Sequence, residues 1–183
     1  MNRLVAGYGP TAKFLHWLIV ALLVLQYIVA WSMEGDEADI AGVINPMHDL
    51  HASLGITIFA LALLRLIWRQ THPISDYPEL PQWQHFAARI THALLYLLIV
   101  AMPIFGMIAL TGETTPFELY GILPVQLPAL PKPLIEFSEE AHEVLGTVLL
   151  GVIAVHVVAA LYHFAIKGDA IMQRMLPGRF RRS

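Results

Sequence analysis

The chain has no cysteine, which excludes disulfides, iron–sulfur clusters, thiolate zinc sites and covalent c-type haem attachment. Charge is also scarce. Only 14% of the 183 residues are Asp, Glu, Lys or Arg, against about 25% in an ordinary soluble domain. No basic run interleaved with aromatics occurs, so nucleic acid is not an expected partner. What fills the space is apolar: 57% of the chain is hydrophobic, and membrane lipid is the surrounding that explains it.

A membrane-crossing helix needs about 20 mainly apolar residues. Four segments qualify, at about 14–33, 48–68, 86–111 and 143–166, and they predict an all-α, integral membrane four-helix bundle in a single domain spanning 1–183. Punctuation brackets them. Gly9-Pro10 precedes the first and Glu34-Gly35-Asp36-Glu37 follows it. Asn45-Pro46 precedes the second, and His72-Pro73 lies beyond its end at Arg69. The third carries Pro103 and Gly106, which membrane helices tolerate because neighbouring groups satisfy the freed backbone. Between the third and fourth, Pro116, Pro124, Pro128, Pro131 and Pro133 predict an irregular connection with a short amphipathic or re-entrant piece. The first span reads as a retained helix rather than a signal peptide, because its apolar run is long and no small-x-small cleavage site follows it.

Loop charge sets the orientation. Four spans put residues 1–13, 65–89 and 167–183 on one side, with ten of the eleven basic residues: Arg3, Lys13, Arg65, Arg69, Arg89, Lys167, Arg174, Arg179, Arg181 and Arg182. Against them stand Asp76, Glu79 and Asp169, leaving that side at +7. The other side has Lys132 against eleven acids, a balance of −10. Both termini are therefore expected in the cytoplasm.

Nine histidines in so apolar a chain are the second anomaly, because ionisable groups within spans are costly and usually functional. His16 falls in the first span, His48 and His51 in the second, His92 in the third, and His142 and His156 in the fourth. His163 follows near the cytoplasmic end, while His72 and His85 are expected as solvated loop residues. His142 and His156 are 14 residues apart, about 40° short of four full turns and about 21 Å along the axis. They project from nearly one face at two depths. His48 and His51 share the outer depth of His142, and His16 shares the inner depth of His156 and His163. Each set could clamp one haem iron between two imidazoles, and a bundle core is a usual place for such a cofactor. Spacing alone does not choose between His48 and His51, or between His156 and His163. Each histidine taken singly also fits a hydrogen-bonded interfacial residue. A bare zinc or copper site would need three or four clustered ligands, for which no HxxxH pair or carboxylate trio exists.

The segments Phe14-Leu15-His16-Trp17, His51-Ala52-Ser53-Leu54-Gly55-Ile56, Leu64-Arg65-Leu66 and Thr91-His92-Ala93-Leu94-Leu95-Tyr96-Leu97 form an ordered set of motifs. With Ala141-His142-Glu143, His156, His163 and Met172-Gln173-Arg174-Met175-Leu176-Pro177, the set resembles the bacterial cytochrome b561 family. The resemblance implies two non-covalent b haems, the inner ligated by His16 and His156 and the outer by His51 and His142. It also implies a ubiquinone site near His163. Arg65, Arg69 and Arg89 are candidates to neutralise haem propionates or to anchor the cytoplasmic side, and His92 to contact a propionate or make a structural hydrogen bond.

Bis-histidine iron has no open position, so such a protein carries electrons across the bacterial inner membrane between an outer-face donor and the quinone pool. Superoxide oxidation with ubiquinone reduction is a second reading that the resemblance carries. Superoxide is an anion, however, and an outer side at −10 suits a cationic protein donor better. A third reading is the membrane anchor and electron-transfer subunit of a larger dehydrogenase. A histidine-lined ion transporter, which tends to carry buried carboxylates and broken helices, is a further class that the sequence favours less. Reporter fusions at the first and last residues are expected to report the cytoplasm from both ends. An external signal from either end overturns that expectation.

Overall fold

The computed structural model describes residues 7–33, 46–73, 80–112 and 116–176. The acidic stretch 34–37, Arg3 and the tail bases Arg179, Arg181 and Arg182 lie outside the described residues. Four long helices make up the architecture: α1 (Pro10–Met33), α2 (Pro46–Thr71), α3 (Gln82–Ala109) and α4 (Lys132–Tyr162). All four are long and apolar enough to cross a membrane. Their starts share a cause. Pro10 and Pro46 open α1 and α2, Pro81 caps α3, and Pro131 and Pro133 bracket the first residue of α4. Proline is favourable there because its fixed φ suits the first turn and its missing N–H has no intrahelical partner anyway.

The helices are apolar on the outside. Phe86, Leu97, Val155 and Val158 are each more than 60% exposed, which in water would squander the hydrophobic effect and in lipid costs nothing. The chain is a multi-pass membrane protein. Its interior is a thin seam that includes Leu15, Ile19, Leu54, Ile58, Ala62, Leu98 and Leu149. Neighbours pack in sequence order, α1 on α2, α2 on α3 and α3 on α4. The circuit does not close in the same way, because α4 stands off from α1 and α2. Side chains bridge that gap, among them the Tyr27 hydroxyl, which donates to the Gly146 carbonyl at 2.8 Å.

All four helices begin before the expected spans, most of all α4, and only α2 also runs past its expected end. Helix α4 begins at Lys132 rather than 143 and ends at Tyr162, where the coil widens into a π turn over His163–Lys167. The cause is that Glu136, Glu139, Glu140 and Glu143 depress local hydropathy without breaking helical geometry. These residues are exposed, so a helical extension of three turns projects beyond the apolar zone. The re-entrant or amphipathic piece expected before it is instead a two-stranded antiparallel hairpin, β1 (Phe117–Leu119) with β2 (Leu123–Val125). His85 was expected in a loop and lies in the first helical turns of α3. His72, just past α2, is exposed but stacks on Trp68 with ring centroids 4.0 Å apart.

The hairpin is bolted to α2 through its turn. Tyr120 adopts φ 53° and Gly121 φ 67°, and a left-handed conformation costs a non-glycine residue about 1–2 kcal/mol. Offsetting contacts come from α2. The Tyr120 backbone N–H donates to Ser53 Oγ at 2.8 Å, and its hydroxyl meets Thr57 Oγ1 and the Ser53 carbonyl. Ser53 is fully buried and its hydroxyl donates to the Asp49 carbonyl at 2.7 Å. Ser53→Ala is expected to cost about 1–3 kcal/mol, the penalty for leaving such a group without its partner. Reversible unfolding in mixed micelles measures the loss, and limited proteolysis should cut the hairpin sooner than in the parent.

Candidate functional site

Four of the histidines meet as two opposed pairs across the gap beside α4. Near one end, His51 of α2 faces His142 of α4 with ring centroids 5.9 Å apart. Near the other, His16 of α1 faces His156 of α4 at 6.5 Å. The ring planes in the two pairs are inclined by 74° and 82°. His51 rather than His48 opposes His142, and His156 rather than His163 opposes His16.

A metal–imidazole bond is about 2 Å long. Adding about 1.1 Å from nitrogen to ring centre, two imidazoles on opposite sides of one metal hold their centroids about 6.2 Å apart. The two observed separations bracket that value. Because both rings contain the ligation axis, their mutual inclination is unconstrained. The stand-off of α4 leaves width for a flat group between the members of each pair. Among the described residues, no three His, Asp or Glu side chains gather closely enough to hold a bare metal ion. Paired axial ligation of a macrocycle therefore fits these side chains, and a bare-ion site does not.

The surroundings of His142 are the most fully built. Its Nδ1–H donates to the Met102 carbonyl at 2.9 Å, which leaves a lone pair on Nε2, the state a ligand needs. Gly106, one turn further along α3, makes the room. A Cβ there would lie 3.0 Å from Cε1 and 3.1 Å from Nδ1 of His142. On the opposite side, the Gln26 side-chain Nε2 donates to the His51 carbonyl at 3.1 Å and lies 3.2 Å from His51 Nε2. Composition and spacing gave no signal for Gly106 or Gln26 as site residues, because each acts through a neighbour on another helix.

At the other end, His92 of α3 lies beside His156, with centroids 5.4 Å apart. Arg65 is close enough to His16, His92 and His156 for its charge to act on all three. Its guanidinium is held by the Tyr96 hydroxyl at 3.1 Å and the Ala12 carbonyl at 3.0 Å. Arg69 lies over the Tyr96 ring, and Arg89 is exposed on α3. His48 is half-buried near the start of α2.

His163 does not join the pairs. The π turn carries it to the chain reversal at Gly168 (φ 62°), where its Nδ1–H donates to the Asp169 carboxylate. The second carboxylate oxygen accepts the Ile171 N–H at 3.1 Å. Asp169 is a further residue that sequence reasoning counted only as a charge. Past it, the chain folds back onto α1. The Lys13 ammonium donates to the Leu176 carbonyl at 2.7 Å and the Trp17 indole N–H to the Met175 carbonyl at 2.9 Å.

The family model of prokaryotic cytochrome b561 matches residues 7–178. Cytochrome b561 homolog 1 of Escherichia coli (strain K12) is 30% identical over 188 residues, covering 98% of this chain and 99% of that protein. A Yersinia pestis protein named probable superoxide oxidase CybB is 27% identical, with 89% and 92% covered. Cytochrome b562 of Cereibacter sphaeroides is 25% identical, with 94% and 97% covered. The match over nearly the whole length, on a chain whose histidines oppose one another as axial ligands would, leads to one conclusion: this chain belongs to the prokaryotic cytochrome b561 family, membrane electron-transport proteins that bind haem b.

Proposed function

We propose that the protein is a di-haem cytochrome b of the bacterial inner membrane, carrying electrons between an outer-face donor and ubiquinone. The observation that carries this reading is the placement of two opposed imidazole pairs 14 residues apart on one helix, about 21 Å in depth. His16 and His156 ligate the inner haem, and His51 and His142 the outer. When bound, each haem would supply reversible one-electron storage.

The chain's own groups do the rest. The Met102 carbonyl fixes the His142 tautomer, and Gly106 keeps the ring from being pushed aside. Arg65 brings a fixed positive charge to the inner cluster, where it offsets propionate charge, and His92 is a second contact there. The charge asymmetry supports cytoplasmic termini. His163, with Nδ1 engaged by Asp169, presents Nε2 to a quinone headgroup near Lys167. On the outer side Lys132 is paired with Glu136 at 3.3 Å, and Glu139, Glu140 and Glu143 extend an acidic surface over His142. That surface suits a cationic protein donor.

A second reading, oxidation of superoxide with reduction of ubiquinone, draws on the relative named probable superoxide oxidase. Stopped-flow spectroscopy separates the two. Chemically reduced haem is expected to reoxidise on adding ubiquinone, and His163→Ala should slow that step without loss of haem. An unchanged rate removes His163 from the site. Reduction by superoxide near the diffusion limit, slowing as salt rises, would make superoxide oxidase the leading reading. Co-purification with a catalytic partner would favour the anchor-subunit reading.

Ligation is checked by haem content. Pyridine haemochrome assay should give about two haems per chain, if each iron is bis-histidine. Fewer are expected in His16→Ala, His51→Ala, His142→Ala and His156→Ala, while His48→Ala keeps both. Full content in any of the four overturns that assignment.

Gly106→Ala tests the support of His142 separately. It should lower haem content, whereas Gly151→Ala, which has nothing within 4 Å of the added Cβ, should leave it unchanged. Equal content in the two variants would mean that the space at Gly106 does not matter.

A further inference from the structure

Ser53 and Thr57, which hold the hairpin, lie on the outward face of α2. At about 100° per residue, Thr57, Ala60, Leu64 and Ile67 all fall within about 40° of Ser53 around the helix. Ala60, Leu64 and Ile67 are exposed, as a stripe that faces lipid would be. Further along the same stripe Ser53 is fully buried and Thr57 half-buried, because the hairpin covers them. The hairpin therefore lies against the lipid-facing flank of α2.

Its depth follows from the same bonds. The Tyr120 N–H meets Ser53 Oγ and the Tyr120 hydroxyl meets Thr57 Oγ1, so the side chain points along α2 away from the start of the helix. Ser53 and Thr57 are two and six residues past His51, about 3 and 9 Å further into the span. That level lies at the edge of the hydrocarbon or inside it. On α2, a core of about 30 Å takes about 20 residues, which reaches back from Trp68 to His48. On α4, Glu143 adjoins His142, the residue opposed to His51, and no further Asp, Glu, Lys or Arg occurs until Lys167. Ile122 is two residues from Tyr120, within about 7.6 Å by chain geometry.

The tip is apolar and open. Leu119 pairs with Leu123 and Glu118 with Pro124, so the one charge of the hairpin stays behind the turn. Leu123 is exposed, and Ile122, at 84%, is the most exposed large apolar side chain among the described residues. Water would penalise such a surface. The unpaired edges of a two-stranded ribbon exclude it from deep hydrocarbon, and tyrosine favours the membrane–water boundary. These conditions are met together where headgroups give way to acyl chains.

We propose that the hairpin tip is a lipid contact. Ile122 and Leu123 enter the acyl chains just below the headgroups of the leaflet on the His51–His142 side. They continue the lipid-facing stripe of α2, while Tyr120 screens the Ser53 and Thr57 hydroxyls from that lipid. The partner is the bilayer itself.

Because the chain has no cysteine, single-cysteine variants test this directly. Ile122→Cys and Leu123→Cys carry a nitroxide label in the full-length, haem-loaded protein, in vesicles of phosphatidylethanolamine and phosphatidylglycerol. Leu64→Cys is the lipid reference and Glu139→Cys the water reference. Oxygen collects in lipid and a neutral nickel chelate in water, and the effect of each on label saturation is measured against nitrogen. The oxygen-to-nickel ratio at 122 and 123 is expected to be several-fold above that at 139 and to approach that at 64. A ratio equal to that at 139 puts the tip in water and overturns the proposal. Protection from both reagents means that protein covers the tip, and overturns it equally; dipolar broadening would then identify a second copy of this chain. If Ile122→Cys loses haem on labelling, Leu123→Cys decides.

Discussion

An imidazole has two nitrogens, and hydrocarbon offers a partner to neither. Burying a polar group without a hydrogen bond costs roughly 2–7 kcal/mol, so a bundle with histidines along its seam gains from each nitrogen it commits, and among the buried nitrogens of the outer pair only His51 Nδ1 is left without a partner. Much of the fold follows from those commitments. His142 engages a carbonyl of α3, His51 a carboxamide of α1 and His163 a carboxylate beyond the end of its own helix. Each commitment joins two segments distant in the chain or reverses its direction. The polar groups therefore fix the mutual rotation of helices whose apolar exteriors, surrounded by lipid, would specify it poorly.

The same histidines explain why the bundle is uneven. The close contacts of α4 are with α3, while α1 and α2 stand away from it, and both histidine pairs span the open side. A tightly packed four-helix seam would leave no width for a macrocycle, and a uniformly loose one would not hold opposed rings at a ligating distance. Packing three neighbouring contacts tightly and leaving the fourth open meets both conditions. Small residues concentrate the effect. Gly106 admits a ring against α3, and the Gly146 carbonyl receives the Tyr27 hydroxyl across the gap.

The helices and the two depths of histidine were legible in the sequence because each leaves a linear trace. An apolar run of membrane length is visible without a partner, and His142 and His156 declare a shared face by spacing alone. The early start of α4 was not legible, because hydropathy marks where lipid ends rather than where a helix begins. Glu136 to Glu143 are helical and polar at once. The hairpin escaped for a different reason: its three-residue strands are too short to show alternation, and its stability comes from Ser53 and Thr57 some 60 residues earlier. Gln26 and Asp169 were unreadable as site residues in principle. A glutamine in an apolar span and an aspartate past its last turn acquire a role only when the fold brings a histidine to them.

The hydrogen bonds between the start of α1 and the stretch after the π turn have a consequence for topology. The Tyr8 N–H donates to the Arg174 carbonyl at 3.1 Å, and Lys13 and Trp17 reach the carbonyls of Leu176 and Met175. Two segments bonded to one another must occupy the same aqueous compartment, so the number of crossings between Tyr8 and Leu176 is even, whatever the charges of the loops. Parity is thus a property of the fold, and sign a property of the charge. Reversing the loop charges would turn the whole molecule over without altering a contact inside it. A partial inversion, with one helix left behind, would have to break the bonds that join the first helix to the chain beyond the last.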